Sequence, residues 1–295
     1  MYDAIPQFRD AIRATGLEPP NVIEPGKFHR FPGIGKGARN RAGWCLLFDD
    51  CRGGCFGDWS TDLYKVWQAK RGQPCSHAER SALARQVKAA RQRAEAERLA
   101  EHDAAAKRAD IIWNTAAYAP NDHPYLLSKC IQPHGAKLHK NTLVLPIVDF
   151  TGKLTSLQFI AADGGKKLLS GGRKQGCFIP VTDVTTAPSH VVICEGWATG
   201  CTLAEDDPSA LVLAAIDAGN LKPVATAARC QWPSAELVIA GDDDRLTRGN
   251  PGATKATSAA IASGALLALP PWPENAPDYL TDFNDLAVWL AGGGA

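Results

Sequence analysis

The chain has 295 residues, 45% apolar and 21% charged, a balance typical of soluble globular proteins, and a length beyond what one core normally fills, so two or three domains are expected. Its formal net charge is +1, so affinity for a polyanion has to come from local clusters of Lys and Arg. No run approaches the roughly 20 apolar residues that cross a bilayer, and the opening from Met1 to Pro6 lacks a basic-then-apolar leader, so a cytoplasmic protein without membrane contact is expected.

Residues 1–75 mix Gly and Pro with apolar runs such as Trp44 to Phe48, a pattern of short strands and turns. From 76 to about 117 Ala, Arg, Glu, Lys and Gln dominate and Pro and Gly are missing, which predicts one helix or two, polar around most of the surface and suited to bridging domains. Only Ile111, Ile112 and Trp113 at its end are apolar enough to dock. Residues 118–189 alternate apolar stretches with Gly turns. Leu143 to Val148 and Leu154 to Ile160 read as a hairpin turning near Thr151 and Gly152. Around it gather Lys129, Lys137, Lys140, Lys166, Lys167, Arg173 and Lys174. Phosphates attract such clusters, and Gly164, Gly165, Gly171 and Gly172 would let backbone approach a ligand; a solvated loop is the alternative.

Residues 190–295 become regular. Strands at Val191 to Cys194, Ala210 to Ile216, Glu236 to Ala240 and Ala265 to Leu269 alternate with helices at Thr199 to Glu205, Leu221 to Cys230, Ala253 to Ser263 and Asp285 to Leu290. That order implies a parallel sheet covered on both faces, with sites at the carboxyl ends of its strands. Acidic residues stand there. Glu195 follows the first strand, Asp242, Asp243 and Asp244 follow the third, and Asp282 and Asp285 follow the last after a loop. Converging carboxylates repel unless cations neutralise them, and hard oxygen donors suit Mg²⁺, or Mn²⁺ in its place. Asp242 and Asp244, one residue apart, share a side of an extended segment, while Asp243 points away. Singly, each has a plainer reading: Glu195-Gly196 as a strand-to-helix turn, Asp242 to Asp244 as an exposed loop, Asp282 as a helix cap.

Together the stretches Val191 to Gly196, Val238 to Arg245 and Asp282 to Leu286 resemble the three motif blocks of the TOPRIM domain, in the version carried by phage and plasmid DNA primases. Ala218 to Leu221 and Asn250 to Gly252 resemble that group too. The resemblance implies an α/β protein: a C-terminal TOPRIM domain (190–295), a small basic α+β subdomain before it (118–189), a helical linker (76–117) and a β-rich, zinc-ribbon-like N-terminal module (1–75). It implies a nucleotidyltransferase that makes short RNA primers on single-stranded DNA from ribonucleoside triphosphates with two metal ions. Glu195, Asp242 and Asp244 would be catalytic and, with Asp282, hold the metal; Asn284 and Asp285 are weaker matches. Lys129, Lys140, Lys166, Lys167, Arg173, Lys174 and Arg245 would hold template and nucleotide.

Cys55-Phe56-Gly57-Asp58 resembles the Cys-Phe-Gly-Cys turn of the zinc ribbon in DnaG-type primases, but Asp58 takes the last ligand position and the upstream ligand pair is missing. Cys45, Cys51, Cys55, Cys75 and His77 have spacings that fit no familiar knuckle, so no structural zinc is expected. The module could still touch DNA through Arg30, Lys36, Arg39 and Arg41, with Phe28, Phe31 and Trp44 as stacking surfaces, or present only a solvated basic loop. No Gly-x-x-x-x-Gly-Lys-Ser/Thr loop occurs, so a helicase is expected to be a separate protein or a further extension. A TOPRIM nuclease and a non-catalytic single-stranded-DNA-binding replication module are the rivals, and the products formed from DNA and ribonucleotides separate the three.

Overall fold

The computed structural model describes residues 4–69 and 76–293; Cys75, one of the candidate zinc ligands, lies outside them. The chain forms two compact units, Met1–Glu101 and His102–Ala295.

In the first unit, α1 (Ala4–Arg13) precedes an antiparallel sheet of β1 (Phe28–Phe31), β2 (Gly43–Leu47), β3 (Gly53–Asp58) and β4 (Leu63–Gln68), paired in that order. The strands follow the expected pattern, but α1 does not. Ile5, Phe8 and Ile12 form an apolar stripe, and Pro6 falls in the first turn, where a missing N–H is harmless. The composition of the whole segment hides this short helix. β2 is buried throughout because the sheet is covered twice. Cys45 and Leu47 pack with Phe8 and Ile12, whereas Trp44 and Leu46 pack with Ala90 and Ala94. Those alanines belong to α2 (His77–Thr115), a single helix of 39 residues, about 58 Å long at 1.5 Å per residue. Ser76 and Glu79 bond each other's backbone N–H at its start, a reciprocal cap.

In the second unit, the end of α2 lies on one face of an antiparallel sheet. Its strands are β5 (Ala117–Tyr118), β6 (Lys137–His139), β7 (Thr142–Val148), β8 (Leu154–Ile160) and β9 (Lys166–Leu168), with α3 (Pro124–Lys129) between the first two. The expected hairpin is β7–β8, and Gly152 supplies the positive φ of its turn. After β10 (Ile179–Pro180) come β11 (His190–Cys194), α4 (Trp197–Asp206), β12 (Leu211–Ala214), α5 (Ala218–Gln231), β13 (Glu236–Ala240), α6 (Pro251–Ser263), β14 (Leu266–Ala268) and α7 (Phe283–Ala291). The sheet order is β10-β12-β11-β13-β14, with β11 to β14 parallel and β10 antiparallel at the edge.

Helices cover both faces of that sheet. Val191, Ile193 and Leu237 face α5 and α6, while Val192, Cys194 and Ala214 share a core with α4 and with Leu143, Leu145, Ile147 and Ile160 of the antiparallel sheet. The two sheets of this unit are therefore built on common apolar contacts. Among the described residues, no helix is long and apolar enough to cross a membrane.

Candidate functional site

Parallel pairing brings the acidic groups together. Cys194 is opposite both Ala214 and Ala240, and Ala240 is opposite Ala268, so the chain leaves all four strands at one edge. Glu195 is the first residue beyond β11 and Asp242 the second beyond β13. Gly241 has to be glycine here, since a Cβ would meet that of Ala256 at 2.5 Å.

Asp242 is the most unusual group of the edge. Its Oδ1 is buried without a hydrogen-bond partner. Burial first, and then the charges of Glu195, Asp282 and Asp244, push its carboxyl up to about 8. Glu195 is also raised, by burial and by Asp217 and Asp244, against a hydrogen bond donated by the Ala218 N–H. The loop carrying that N–H contains Ile216 at φ +80°, a strained conformation for a β-branched residue. Asp244 gives one oxygen to the Gly252 N–H (2.8 Å) at the start of α6. Asp282 caps α7 by accepting from Asp285 N (2.8 Å). The plainer reading of Asp282 thus holds alongside its membership of the cluster, and its carboxyl is raised chiefly by burial and next by Asp285. Asp243 turns elsewhere, bonded by Asn250 Nδ2 (2.6 Å) and Trp272 Nε1 (2.9 Å).

A hard divalent cation fits this set by donor chemistry and by the orphaned Asp242 oxygen. Yet among the described residues no three His, Cys, Asp or Glu side chains close tightly enough to hold an ion by themselves. Mg²⁺ that arrives with substrate phosphates needs only one or two protein carboxylates, so the open arrangement remains compatible.

The basic candidates separate into two kinds. Lys129 is paired with Asp285 (3.1 Å), Arg173 with Asp149 and Lys174 with Asp217. Arg245 is paired with Asp278 (3.2 Å), bonds the Pro277 carbonyl and lies 4.4 Å over the Trp272 ring. Lys140, Lys166 and Lys167 have no ion pair among the described residues. Lys166 lies close enough to Glu195 and Asp242 to favour their charged forms. Lys167, its neighbour in β9, takes the other face, so the two lysines do not form one cluster.

In the first unit Arg30 is held by Glu101 (2.7 Å) and lies 4.1 Å over the Trp59 ring. Arg41 donates to the Arg30 carbonyl, while Lys36 and Arg39 are exposed. The stacking surfaces proposed from sequence are already used: Phe31 and Trp44 are buried, and Phe28 stacks on Trp44 at 5.4 Å. Asp58 is wholly buried. It accepts from Ile34 N (2.8 Å), Ser60 N (2.8 Å) and Ser60 Oγ (2.7 Å), tying the Gly33-Ile34 loop to the turn after β3.

Three positioning residues carried no role in the sequence reading, although the first two lie in quoted motifs. Asn250 caps α6, accepts from Asp244 N and holds Asp243. Asn220 Nδ2 bonds the carbonyls of Lys174, Cys177 and Ala215, and its Oδ1 accepts from Gly176 N. Trp272 completes the hold on Asp243.

Residues 190–290 match the Toprim domain family. Two Escherichia coli proteins described as DNA primase TraC align with 90% of this chain. One is 33% identical over 282 residues and the other 34% over 285, and the chain spans 26% and 19% of their respective lengths. The crystal structure of the Aquifex aeolicus primase (zinc-binding and RNA polymerase domains) aligns with 100% of this chain and 84% of its own, at 12% identity and a TM-score of 0.45. The chain therefore carries a Toprim domain and is a relative of the TraC DNA primases, corresponding to about a quarter of their length or less.

Proposed function

We propose that this chain is a DNA primase, copying single-stranded DNA into short RNA primers from ribonucleoside triphosphates in the replication of a phage, plasmid or other mobile element. The observation that carries the reading is the buried Asp242 oxygen, without a hydrogen-bond partner among the described residues, amid Glu195, Asp244 and Asp282, with Lys166, which has no ion pair among those residues, beside it. Kinship with the TraC primases supports the choice of polymerisation over other chemistry of the same carboxylates.

In this reading Asp242 and Asp244, backed by Asp282, would hold Mg²⁺ or Mn²⁺. The bound ions would neutralise the triphosphate and lower the pKa of the attacking hydroxyl. Glu195, whose affinity for a proton is raised by burial, accepts the proton of the 3′-hydroxyl. The 3′ oxygen bonds to the α-phosphorus and pyrophosphate leaves. Lys166 offsets charge on the phosphates, and Arg173 and Lys174 would have to exchange Asp149 and Asp217 for phosphate. Lys129 and Arg245 then act mainly by holding Asp285 and the 277–280 loop. Residues 1–75 serve as a ribbon-like module without zinc, 76–117 as a linker, 118–189 as the basic part of the polymerase core and 190–295 as its metal-binding part. A separate helicase or initiator supplies the unwound strand in the cytoplasm.

The test is incubation of the full chain with single-stranded DNA, ribonucleotides and Mg²⁺. Short RNA made by the parent and lost in Asp242→Ala is expected. Cleaved DNA, or DNA bound but unchanged, would overturn the reading.

A further inference from the structure

We infer that the outer edge of β14 is an interface between two copies of this chain, joined strand to strand about a two-fold axis at Leu267. β14 closes the parallel sheet on one side, and among the described residues no strand pairs with its outer edge. Natural sheets guard such an edge with charge or cover it. Here neither is done. Residues 264–273 carry no charge, and Leu266 (59%), Leu267 (40%) and Leu269 (36%) stay exposed, with Ile261 (79%) on the neighbouring helix α6.

The edge complements itself. Gly241 N donates to the Ala268 carbonyl (2.9 Å), so the backbone groups of Leu266 and Ala268 turn toward β13, and those of Leu267 and Leu269 turn outward. A second copy running antiparallel, with Leu267 opposite its own counterpart, gains two main-chain hydrogen bonds on the axis. Leu269 N then meets the carbonyl of Ala265 of the partner subunit, twice by symmetry, while Ala265 N is already given to the Ala260 carbonyl (3.0 Å). Side chains fit in the same register. Leu266 comes opposite Ala268 and Leu269 opposite Ala265, a large residue against a small one at each off-axis pair. Leu267 and Leu269 lie on the α6 face, since both approach the space beside Gly241 into which Ala256 projects. Pro270 comes opposite Gly264, and Pro271, without an N–H to give, ends the pairing.

Area sets the strength. Taking about 180 Å² for a wholly exposed Leu or Ile, the three leucines and Ile261 supply roughly 400 Å² per copy, half of the roughly 800 Å² that each partner buries in a standard interface. A weak, concentration-dependent dimer follows, and a copy of the same edge matches both the phase of the hydrogen bonds and the Leu–Ala order. The two five-stranded sheets become one continuous sheet whose carboxylate edges point in opposite directions. Pairing of this kind does not depend on the chemistry proposed for those carboxylates.

Sedimentation velocity of the full chain from about 1 to 300 µM, with reductant, should show reversible dimer formation with a dissociation constant of about 10–100 µM. Leu267→Lys sets like charges opposite each other on the axis and should weaken association about tenfold or more. Leu266→Lys, on the other face of the strand, should do the same, and circular dichroism checks that both variants fold. Because residue 267 meets itself at a Cα separation of about 5.5 Å, within the reach of a disulfide, Leu267→Cys should give a linked dimer on mild oxidation, well above the background from the exposed Cys130 and Cys230. Val184→Cys, at an exposed position away from β14, should not. A monomer at every concentration, a dimer as tight in Leu267→Lys as in the parent, or equal crosslinking by Val184→Cys and Leu267→Cys would overturn the interface.

Discussion

Asp242 is held in a state that ordinary water would not allow. Its carboxyl ionises near 3.8 when exposed and near 8 in the folded protein without cation. The unfolded chain therefore binds fewer protons than the native one between those values, and stability falls as pH rises. The contribution is whole below about pH 4 and gone above about pH 8. Asp242→Asn, which mimics the protonated form, should raise the melting temperature of the metal-free protein at pH 7.5 and flatten its pH dependence, while primer synthesis falls by at least about 10²-fold. Thermal melts in EDTA from pH 5 to 8.5 check the first part; a lower melting temperature for the variant would contradict it. Mg²⁺ should stabilise the parent more at pH 8 than at pH 6, because the proton it displaces is already leaving. The position of Asp242 after a strand was readable in the sequence. Its orphaned oxygen was not, because burial depends on α6 and on the loops that Asn250 and Trp272 fasten.

Elements were legible where one pattern ruled a segment. The parallel sheet and the β7–β8 hairpin announced themselves through β-branched runs and Gly turns, and α2 through an unbroken stretch of helix formers. α1 was lost because Gly and Pro elsewhere in residues 1–75 masked Ile5, Phe8 and Ile12. Lys166 and Lys167 looked like one cluster because adjacency in sequence says nothing of face until the strand is known. The turn after β3 held a different surprise. Asp58 stands where a ribbon would have its last thiolate, and it ties the Gly33-Ile34 loop to the turn after β3 through one hydrogen bond from Ile34 N and two from Ser60. Asp58→Ala leaves Ile34 N and Ser60 N without partners and should destabilise the first unit by about 2–3 kcal/mol, read from a shifted urea midpoint. Elemental analysis of the parent should find well below one zinc per chain. A stoichiometric zinc whose removal unfolds the unit would refute the role given to Asp58.

At the scale of the molecule, a net charge of +1 would leave any recognition of nucleic acid to local groups. The apolar core has the larger consequence. Val192, Cys194 and Trp197 of the Toprim region are buried against Leu143, Leu145, Ile147 and Ile160 of the antiparallel sheet. Residues 102–295 should fold as a soluble fragment with one cooperative transition, whereas 190–295 alone should aggregate or bind a dye for exposed apolar surface. Circular dichroism and dye binding on the two fragments decide this, and a monomeric, sharply melting 190–295 would count against it. Recombination between related genes that cut at the border of the 101-residue family match would divide this core, stranding half of an interface in each offspring. The transferable unit in such exchanges is accordingly the longer one, beginning within α2, and hybrids joined inside the helix should survive where hybrids joined near His190 do not.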